Sequence, residues 1–82
     1  MFKRIYIFAE TYEHAARYIA ENQFAENQCV IVRDVGTIQG AELEHMQIKA
    51  IGHWYNNHLV SLAYDYAIFN IRKREIENAR NH

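Results

Sequence analysis

Two short runs of apolar residues constrain the fold of this chain more than any other feature. Ile5–Phe8 and Cys29–Val32 are apolar at every position, which is typical of strands covered on both faces in a parallel sheet. Parallel strands need a crossover connection, usually a helix. The segment between the two runs is long enough to contain such a helix. A strand–helix–strand unit of this kind has a right-handed crossover in nearly all proteins.

The connecting helix has its own start signal. Thr11 stands where an N-cap belongs, and Glu10 and Glu13 favour the positive end of a helix dipole. We predict a helix from Tyr12 to about Asn22. Its narrow apolar stripe consists of Ala15, Ala16, Ile19 and Ala20. Such small side chains would let the helix lie close against a sheet.

The segment 42–55 has two interpretations. Ile48 and Ala50 alternate with polar residues, which favours a strand over 46–51 that buries both side chains and pairs with the first strand. The alternative is a helix that begins in this segment and continues to the C-terminal region, but Gly52 discourages it. We predict the strand. Between the second and third strands, glycines at positions 36 and 40 bracket a segment predicted to be irregular.

The assembled order is β-α-β-β-α, an α/β class. The most economical arrangement places the first strand in the centre of a three-stranded, mainly parallel sheet of order 2-1-3, with helices on both faces. At 82 residues the chain is long enough for one domain only. We therefore predict a single small domain over 1–82 that ends in a long helix at about 57–80.

That last helix carries more apolar surface than one sheet can cover. Of the thirteen residues from Leu59 to Ile71, only Ser61, Asp65 and Asn70 are polar, leaving ten that are apolar or aromatic. A helix that covers a sheet needs one apolar stripe, whereas this one is apolar nearly all round. We expect another protein to bury the excess. A second copy is the simplest partner, since twofold dimers are the commonest oligomers.

The two faces of this helix are assigned as follows. The predicted sheet-facing residues are Leu59, Leu62, Tyr66 and Phe69. The predicted partner-facing surface comprises Tyr64, Ile68, Ile71, Arg72 and Arg74. The reverse assignment fits the pattern almost as well.

Composition and charge exclude several classes of function. Nine basic and ten acidic residues give a net charge of −1. The protein therefore lacks the positive electrostatic field expected of a nucleic-acid-binding protein. Cys29 is the only cysteine, so we expect neither an intramolecular disulfide nor a cysteine zinc cluster. We predict that Cys29 is instead a small buried side chain. Neither a signal peptide nor a membrane span is visible, so we expect a cytoplasmic protein.

The hydrophobic strands and one turn resemble those of a known group of proteins. The pattern of residues 3–9, 11–12 and 15–18, then a Val-rich strand, then residues 48–52 followed by Trp54 and Tyr55, looks like small phage-encoded proteins with a truncated Rossmann-like or P-loop-like core. The resemblance implies an accessory protein that acts on a host factor in the host cytoplasm. It carries over no catalytic residue.

Polar and aromatic residues follow the predicted strands and define a candidate crevice. In a parallel sheet, ligands bind at the carboxyl ends of the strands. The residues expected there are Glu10, Thr11, Asp34, His53, Trp54 and Tyr55. An acid, an imidazole and two amphipathic aromatic rings suit a small-molecule site. The alternative is that they cap turns and cover the sheet edge.

No motif in the sequence predicts a cofactor, a metal ion or an enzyme. The turn after the first strand lacks the glycines of a phosphate loop. His53 and His58 lack the pair of cysteines that would complete a zinc-ligand pattern. His53 and Asp34 could act as acid and base, but no nucleophile or oxyanion hole is apparent. Two hypotheses remain: a protein-interaction module, or a small-ligand- or nucleotide-binding domain that uses the crevice.

Overall fold

A computed structural model describes residues 4–40 and 46–80 of the chain. It contains three strands, two long helices and one short helix. In chain order they are β1 (Arg4–Phe8), α1 (Tyr12–Glu21), β2 (Cys29–Ile31), α2 (Val35–Ile38), β3 (Met46–Ala50) and α3 (His58–Arg80). Single turns of 3-10 helix at Glu26–Gln28 and Trp54–Asn56 precede β2 and α3.

The sheet is parallel and has the order β2-β1-β3, which confirms the predicted 2-1-3 arrangement. Ile5 of β1 is paired with Cys29 of β2, and Tyr6 is paired with Ile48 of β3. The central strand β1 is therefore hydrogen-bonded on both edges. Its two neighbours are edge strands, each bonded on one side within the described sheet.

The third strand confirms one of the two interpretations of the segment 42–55. β3 pairs with β1 along its whole length, and the N–H of Ile51 donates to the carbonyl of Phe8 at 2.9 Å. A continuous helix to position 80 is therefore wrong; residues 42–45 lie outside the described part. Ile48 is half-buried, but Ala50 is exposed, contrary to prediction. The cause is that β3 is an edge strand, whose end is less completely covered than β1.

Two cores lie on the two faces of β1, because successive side chains of a strand point to opposite faces. Tyr6 and Phe8 point to the face covered by α2 and α3, where they pack with Ile38, Val60 and Ala63. On the other face lie Ile5, Ile7, Ala9, Ala15 and Ile19, with the last two contributed by α1. Helices thus cover both faces, as predicted.

The helix α1 begins and ends close to the predicted positions. Oγ1 of Thr11 accepts a hydrogen bond from the N–H of His14 at 3.1 Å, which is the expected N-cap. Ala15 and Ile19 are buried on the sheet. Ala20, predicted to share their stripe, is exposed. It is rotated by about 100° from Ile19 on a helix of 3.6 residues per turn.

The short helix α2 was not expected from the sequence, which predicts an irregular segment around residues 37–39. Asp34 and Thr37 form a capping box. Oδ1 of Asp34 accepts from the N–H of Thr37 at 3.1 Å, and Oγ1 of Thr37 accepts from the N–H of Asp34 at 3.4 Å. The helix buries Ile38 against the α3 side of the sheet.

Helix α3 runs over the predicted range, but part of its face assignment is wrong. Val60, Ala63 and Ala67 are the residues buried on the sheet. Three residues predicted to face the sheet, Leu59, Leu62 and Phe69, are exposed. The hydrophobic pattern could not distinguish the two faces of α3, because large apolar residues occur on both. In the structure, the smaller residues Val60, Ala63 and Ala67 lie against the sheet. Tyr66 is half-buried and packs on the core as predicted.

The second half of α3 extends beyond the sheet. Its 23 residues span about 35 Å at 1.5 Å per residue, whereas the five residues of β1 span about 17 Å. From Phe69 onward, none of the described side chains is buried. The radius of gyration is 13.3 Å, against about 12 Å for a compact domain of this length. Within residues 4–40 and 46–80, none of the helices has the length and apolar character needed to cross a membrane.

Candidate functional site

The carboxyl ends of the three strands meet at one edge of the sheet, as the sequence predicts, and two of the predicted crevice residues serve the fold there. The carbonyl of Glu10 accepts a hydrogen bond from Nδ2 of Asn57 at 2.9 Å. Oδ1 of Asn57 in turn accepts from the N–H groups of Leu59 and Val60 at the start of α3. Thr11 caps α1. Asn57, which the sequence analysis did not single out, thus ties the end of β1 to the first turn of α3.

On the β2 side of this edge, Asp34 is committed to the α2 cap. Its Oδ1 accepts from both the N–H and the hydroxyl of Thr37, at 3.1 and 3.2 Å. The preceding residue, Arg33, places its guanidinium carbon 5.2 Å from the ring centroid of Tyr12, a cation–π distance. The polar groups at the end of β2 therefore contact α1 and α2.

On the β3 side, the run from His53 to Tyr55 forms an aromatic chain. The rings of Trp54 and Tyr64 lie 4.3 Å apart between centroids, and Tyr64 meets Phe8 edge-on at 5.4 Å. Trp54 is half-buried and packs against the α3 side of the core. His53 and Tyr55 are exposed and meet edge-on at 5.8 Å. Trp54 anchors the turn before α3, and its two neighbours face solvent.

The sheet order places Asp34 and His53 on opposite sides of the edge. β1 lies between β2 and β3, so the backbones of the two outer strands are about 10 Å apart at a strand spacing of about 4.8 Å. An acid–base pair between these two side chains has no support from their contacts. Within residues 4–40 and 46–80, no three His, Cys, Asp or Glu residues are grouped so that they could hold a metal ion. His45 is outside the described residues.

The turn after β3 is closely packed against α1. Gly52 has a φ of +55°, and an ideal Cβ at this position would lie 2.5 Å from Cε1 of His14. A side chain at position 52 would therefore collide with the imidazole. His14 closes the gap between the start of α1 and the end of β3, and this space is filled by the chain itself.

A shallow groove of about 400 Å³ lies between α1 and β2, at the edge of the sheet. Tyr12 and Ile19 line it on the helix side and Cys29 and Ile31 on the strand side. Cys29, predicted to be buried, is half-buried, because β2 is an edge strand. Burial raises the pKa of its thiol above the ordinary value. A raised pKa disfavours the reactive thiolate.

The most prominent exposed apolar feature is on the side of α3 that faces away from the sheet. Leu62, Phe69 and Ile76 expose 46%, 67% and 57% of their surface. Because residues seven apart on a helix point in nearly the same direction, these three side chains form one line. We call Leu62, Phe69 and Ile76 the outer stripe. Leu59, 55% exposed, lies beside it at the start of the helix.

Charged residues and a groove accompany the outer stripe. Asp65 and Arg72 are exposed along one side of the stripe and Lys73 along the other, given 100° of rotation per residue. A groove of about 530 Å³ follows this part of α3, and its lining includes Tyr64, Ile68 and Phe69. The surface thus combines apolar side chains, charges of both signs and a shallow depression between the side chains of one helix.

The predicted partner-facing residues lie at one margin of this surface or next to it. Tyr64 packs against Phe8 and Trp54, although it also lines the groove. Ile68 and Ile71 are half-buried, and Arg72 is exposed. The side chain of Arg74 is outside the part of the chain that the structure describes.

The sequence analysis missed the outer stripe as a partner-facing set. A signal was present, because Leu62, Phe69 and Ile76 recur every seven residues. The same seven-residue spacing is expected of a helix whose apolar stripe faces the protein's own core. The spacing alone therefore does not determine which face of α3 is exposed. The burial of Val60, Ala63 and Ala67 decides the question. Comparison of the chain with known protein families, curated proteins and solved structures found no match.

Proposed function

We propose that this chain is a protein-interaction module that binds its partner through the outer stripe of α3. The observation that carries the proposal is the exposure of Leu62, Phe69 and Ile76 in one line on α3, on the side away from the buried Val60, Ala63 and Ala67. Single exposed apolar residues are common on proteins. An aligned set flanked by charges is typical of an interaction surface.

Covering the outer stripe would release a useful amount of free energy. Full burial of a large apolar side chain stabilises by about 1.5–3 kcal/mol. Leu62, Phe69 and Ile76 are each about half exposed, so a partner would gain about 1 kcal/mol from each. A helix face is also a rigid platform, so little conformational entropy is lost when it binds.

The crevice at the strand ends does not support a second proposal. Thr11 and Asp34 cap helices, Trp54 packs on the core, and the imidazole of His14 fills the space beside Gly52. These contacts give Thr11, Asp34 and Trp54 a structural purpose, whereas His53 and Tyr55 are exposed to solvent. If the resemblance to phage-encoded accessory proteins holds, the partner would be a host protein, which photo-cross-linking in cells can detect.

Site-specific photo-cross-linking tests the proposal. Phe69→benzoylphenylalanine or Leu62→benzoylphenylalanine places a photoreactive ring on the outer stripe. Irradiation of cells that produce either variant should give a discrete higher-mass adduct, because the partner's side chains would lie within reach of the ring. Immunoblotting and mass spectrometry would identify the adduct as a second copy or as another protein.

The matched control is Glu21→benzoylphenylalanine, at an exposed position at the end of α1. It should give no discrete adduct, since it lies away from α3. Equal labelling at positions 21 and 69, or no adduct at either stripe position, would contradict an interaction through the outer stripe.

A further inference from the structure

The symmetry of the outer stripe identifies its partner. We infer that a second copy of this chain packs α3 against α3, antiparallel, about a twofold axis near Phe69. The inference rests on the proposed function and names the partner of the same surface. Spacing, charge and accessibility each support it.

The spacing of the outer stripe is self-complementary when the helices are antiparallel. Leu62 and Ile76 stand seven residues before and after Phe69. A twofold axis at Phe69 therefore places Leu62 of one protomer against Ile76 of the other, and the two Phe69 rings next to each other. Each large apolar side chain meets another at the same height. We call the line of contact between the two helices the seam. It spans fourteen residue steps, from Leu62 to Ile76, which is about 21 Å.

The charges beside the stripe complement one another in the same register. In an antiparallel twofold pair, each side of the seam meets the same side of the partner helix. Asp65 stands four residues before Phe69 and Arg72 three residues after it. Asp65 of one protomer thus lies within about 1.5 Å, along the axis, of the height of Arg72 in the other. The dimer forms this opposite-charge pair twice.

A parallel pair lacks this agreement. A twofold axis parallel to the helices brings one side of the stripe in one protomer next to the opposite side of the stripe in the other. Residues with the same number then lie at the same height along the axis. Arg72 of one protomer would then lie beside Lys73 of the other, and this like-charge contact would occur twice. Like charges brought together at an interface disfavour the arrangement. The charges therefore favour the antiparallel orientation.

The rest of the molecule leaves the seam accessible. Val60, Ala63 and Ala67 hold α3 to the sheet on the side opposite the outer stripe, so the sheet does not lie between the two helices. The seam ends at Ile76, in the part of α3 that extends beyond the sheet. A two-helix interface of this length is at the small end of the range for specific complexes. We therefore expect a reversible dimer that dissociates on dilution.

Charge reversal tests this register by sedimentation equilibrium. Asp65→Arg and Arg72→Asp each replace both attractive pairs by repulsive ones, so each variant alone should dimerise at least about tenfold more weakly than the wild type. When the two variants are mixed, a heterodimer restores both opposite-charge pairs. The mixture should therefore recover near-wild-type affinity, as should the double variant D65R/R72D.

Glu75→Arg is the matched control, because Glu75 is exposed on α3 but lies away from both sides of the stripe. It should leave the dimer affinity unchanged. Circular dichroism of every variant establishes that α3 is still folded. Weakening by D65R and R72D without recovery in the mixture would overturn the antiparallel register.

A monomeric wild type at several hundred micromolar would overturn the second copy as partner. That result leaves the proposed function standing if the cross-linked adduct at Phe69 contains a different protein. Loss of both the dimer and the adduct would refute the proposed function itself. The two failures are therefore distinguishable.

Discussion

At the scale of single residues, polar groups at the strand ends serve mainly to join elements. Asn57 links the carbonyl of Glu10 to the first turn of α3. His14 fills the space above Gly52. Thr11 and Asp34, which resemble ligand-site residues in the sequence, likewise cap helices, because the first N–H groups of a helix have no partner within the helix.

The contact between His14 and Gly52 leads to a measurable prediction. Gly52 and Gly40 both have positive φ, +55° and +84°, but among residues 4–40 and 46–80 only Gly52 has a neighbour within reach of a Cβ. Gly40→Ala should lower the free energy of unfolding by about 1 kcal/mol through backbone strain alone. Gly52→Ala should lower it by about 1 kcal/mol more, since the imidazole must move. Urea unfolding at one fixed protein concentration measures both values.

The double variant His14→Ala/Gly52→Ala is the control for the steric part. Without the imidazole, the additional cost of alanine at position 52 should disappear, leaving the cost seen at position 40. Equal effects of G40A and G52A in the presence of His14 would show that the ring does not constrain the turn.

At the scale of elements, the short helix α2 shows how local capping creates structure where hydrophobic periodicity predicts none. It has only four residues and contains Gly36, a poor helix former. The reciprocal hydrogen bonds of Asp34 and Thr37 satisfy the backbone at its start, and Ile38 fixes it to the core. A cap and one buried anchor are sufficient because the element is a single turn.

Removal of the α2 cap should destabilise the protein in a way that depends on the acceptor atom. Asp34→Ala removes Oδ1 and should lower the free energy of unfolding by about 1 kcal/mol. Asp34→Asn keeps an acceptor oxygen and should cost only a few tenths of that. Thermal or urea unfolding measures the difference, and Glu21→Ala, which removes an exposed carboxylate at the end of α1, serves as the control. Wild-type stability of D34A would contradict a structural use of this carboxylate.

At the scale of the whole molecule, one helix serves two surfaces. The first half of α3 completes the core through Val60, Ala63 and Ala67. The second half extends past the sheet and presents Phe69 and Ile76. A small domain buries a limited share of its apolar surface by itself. We therefore propose association as the physical route by which a chain of this size would cover such a helix.

If the strand-end crevice is filled by the chain itself, common cofactors should not stabilise the molecule. A ligand at one hundred times its dissociation constant adds about 2.7 kcal/mol, which corresponds to about 10 °C or more for a domain of this size. Thermal melts with ATP, GTP, NAD, Zn²⁺ or Mg²⁺, at constant protein concentration, should show no such shift. A shift that is abolished by Trp54→Ala would instead support a small-ligand site at the strand ends.

The sequence by itself determined the elements that hydrophobic patterning and capping specify locally. The runs Ile5–Phe8 and Cys29–Val32, the Thr11 cap and the alternation around Ile48 predicted three strands, a crossover helix and the sheet order 2-1-3, all confirmed. These features depend on neighbours in the chain and on the rule for parallel crossovers, so a pattern is enough to predict them.

Only the tertiary structure decided which side of α3 is exposed and what the crevice residues contact. The helix is apolar nearly all round, so its sequence fits either orientation, and the close fit of Ala63 and Ala67 against the sheet selects one. Likewise, contacts between separate elements decide that Trp54 packs on Tyr64 and the α3 side of the core and that Asn57 donates to the carbonyl of Glu10. Both outcomes depend on packing between distant segments, which no local pattern encodes.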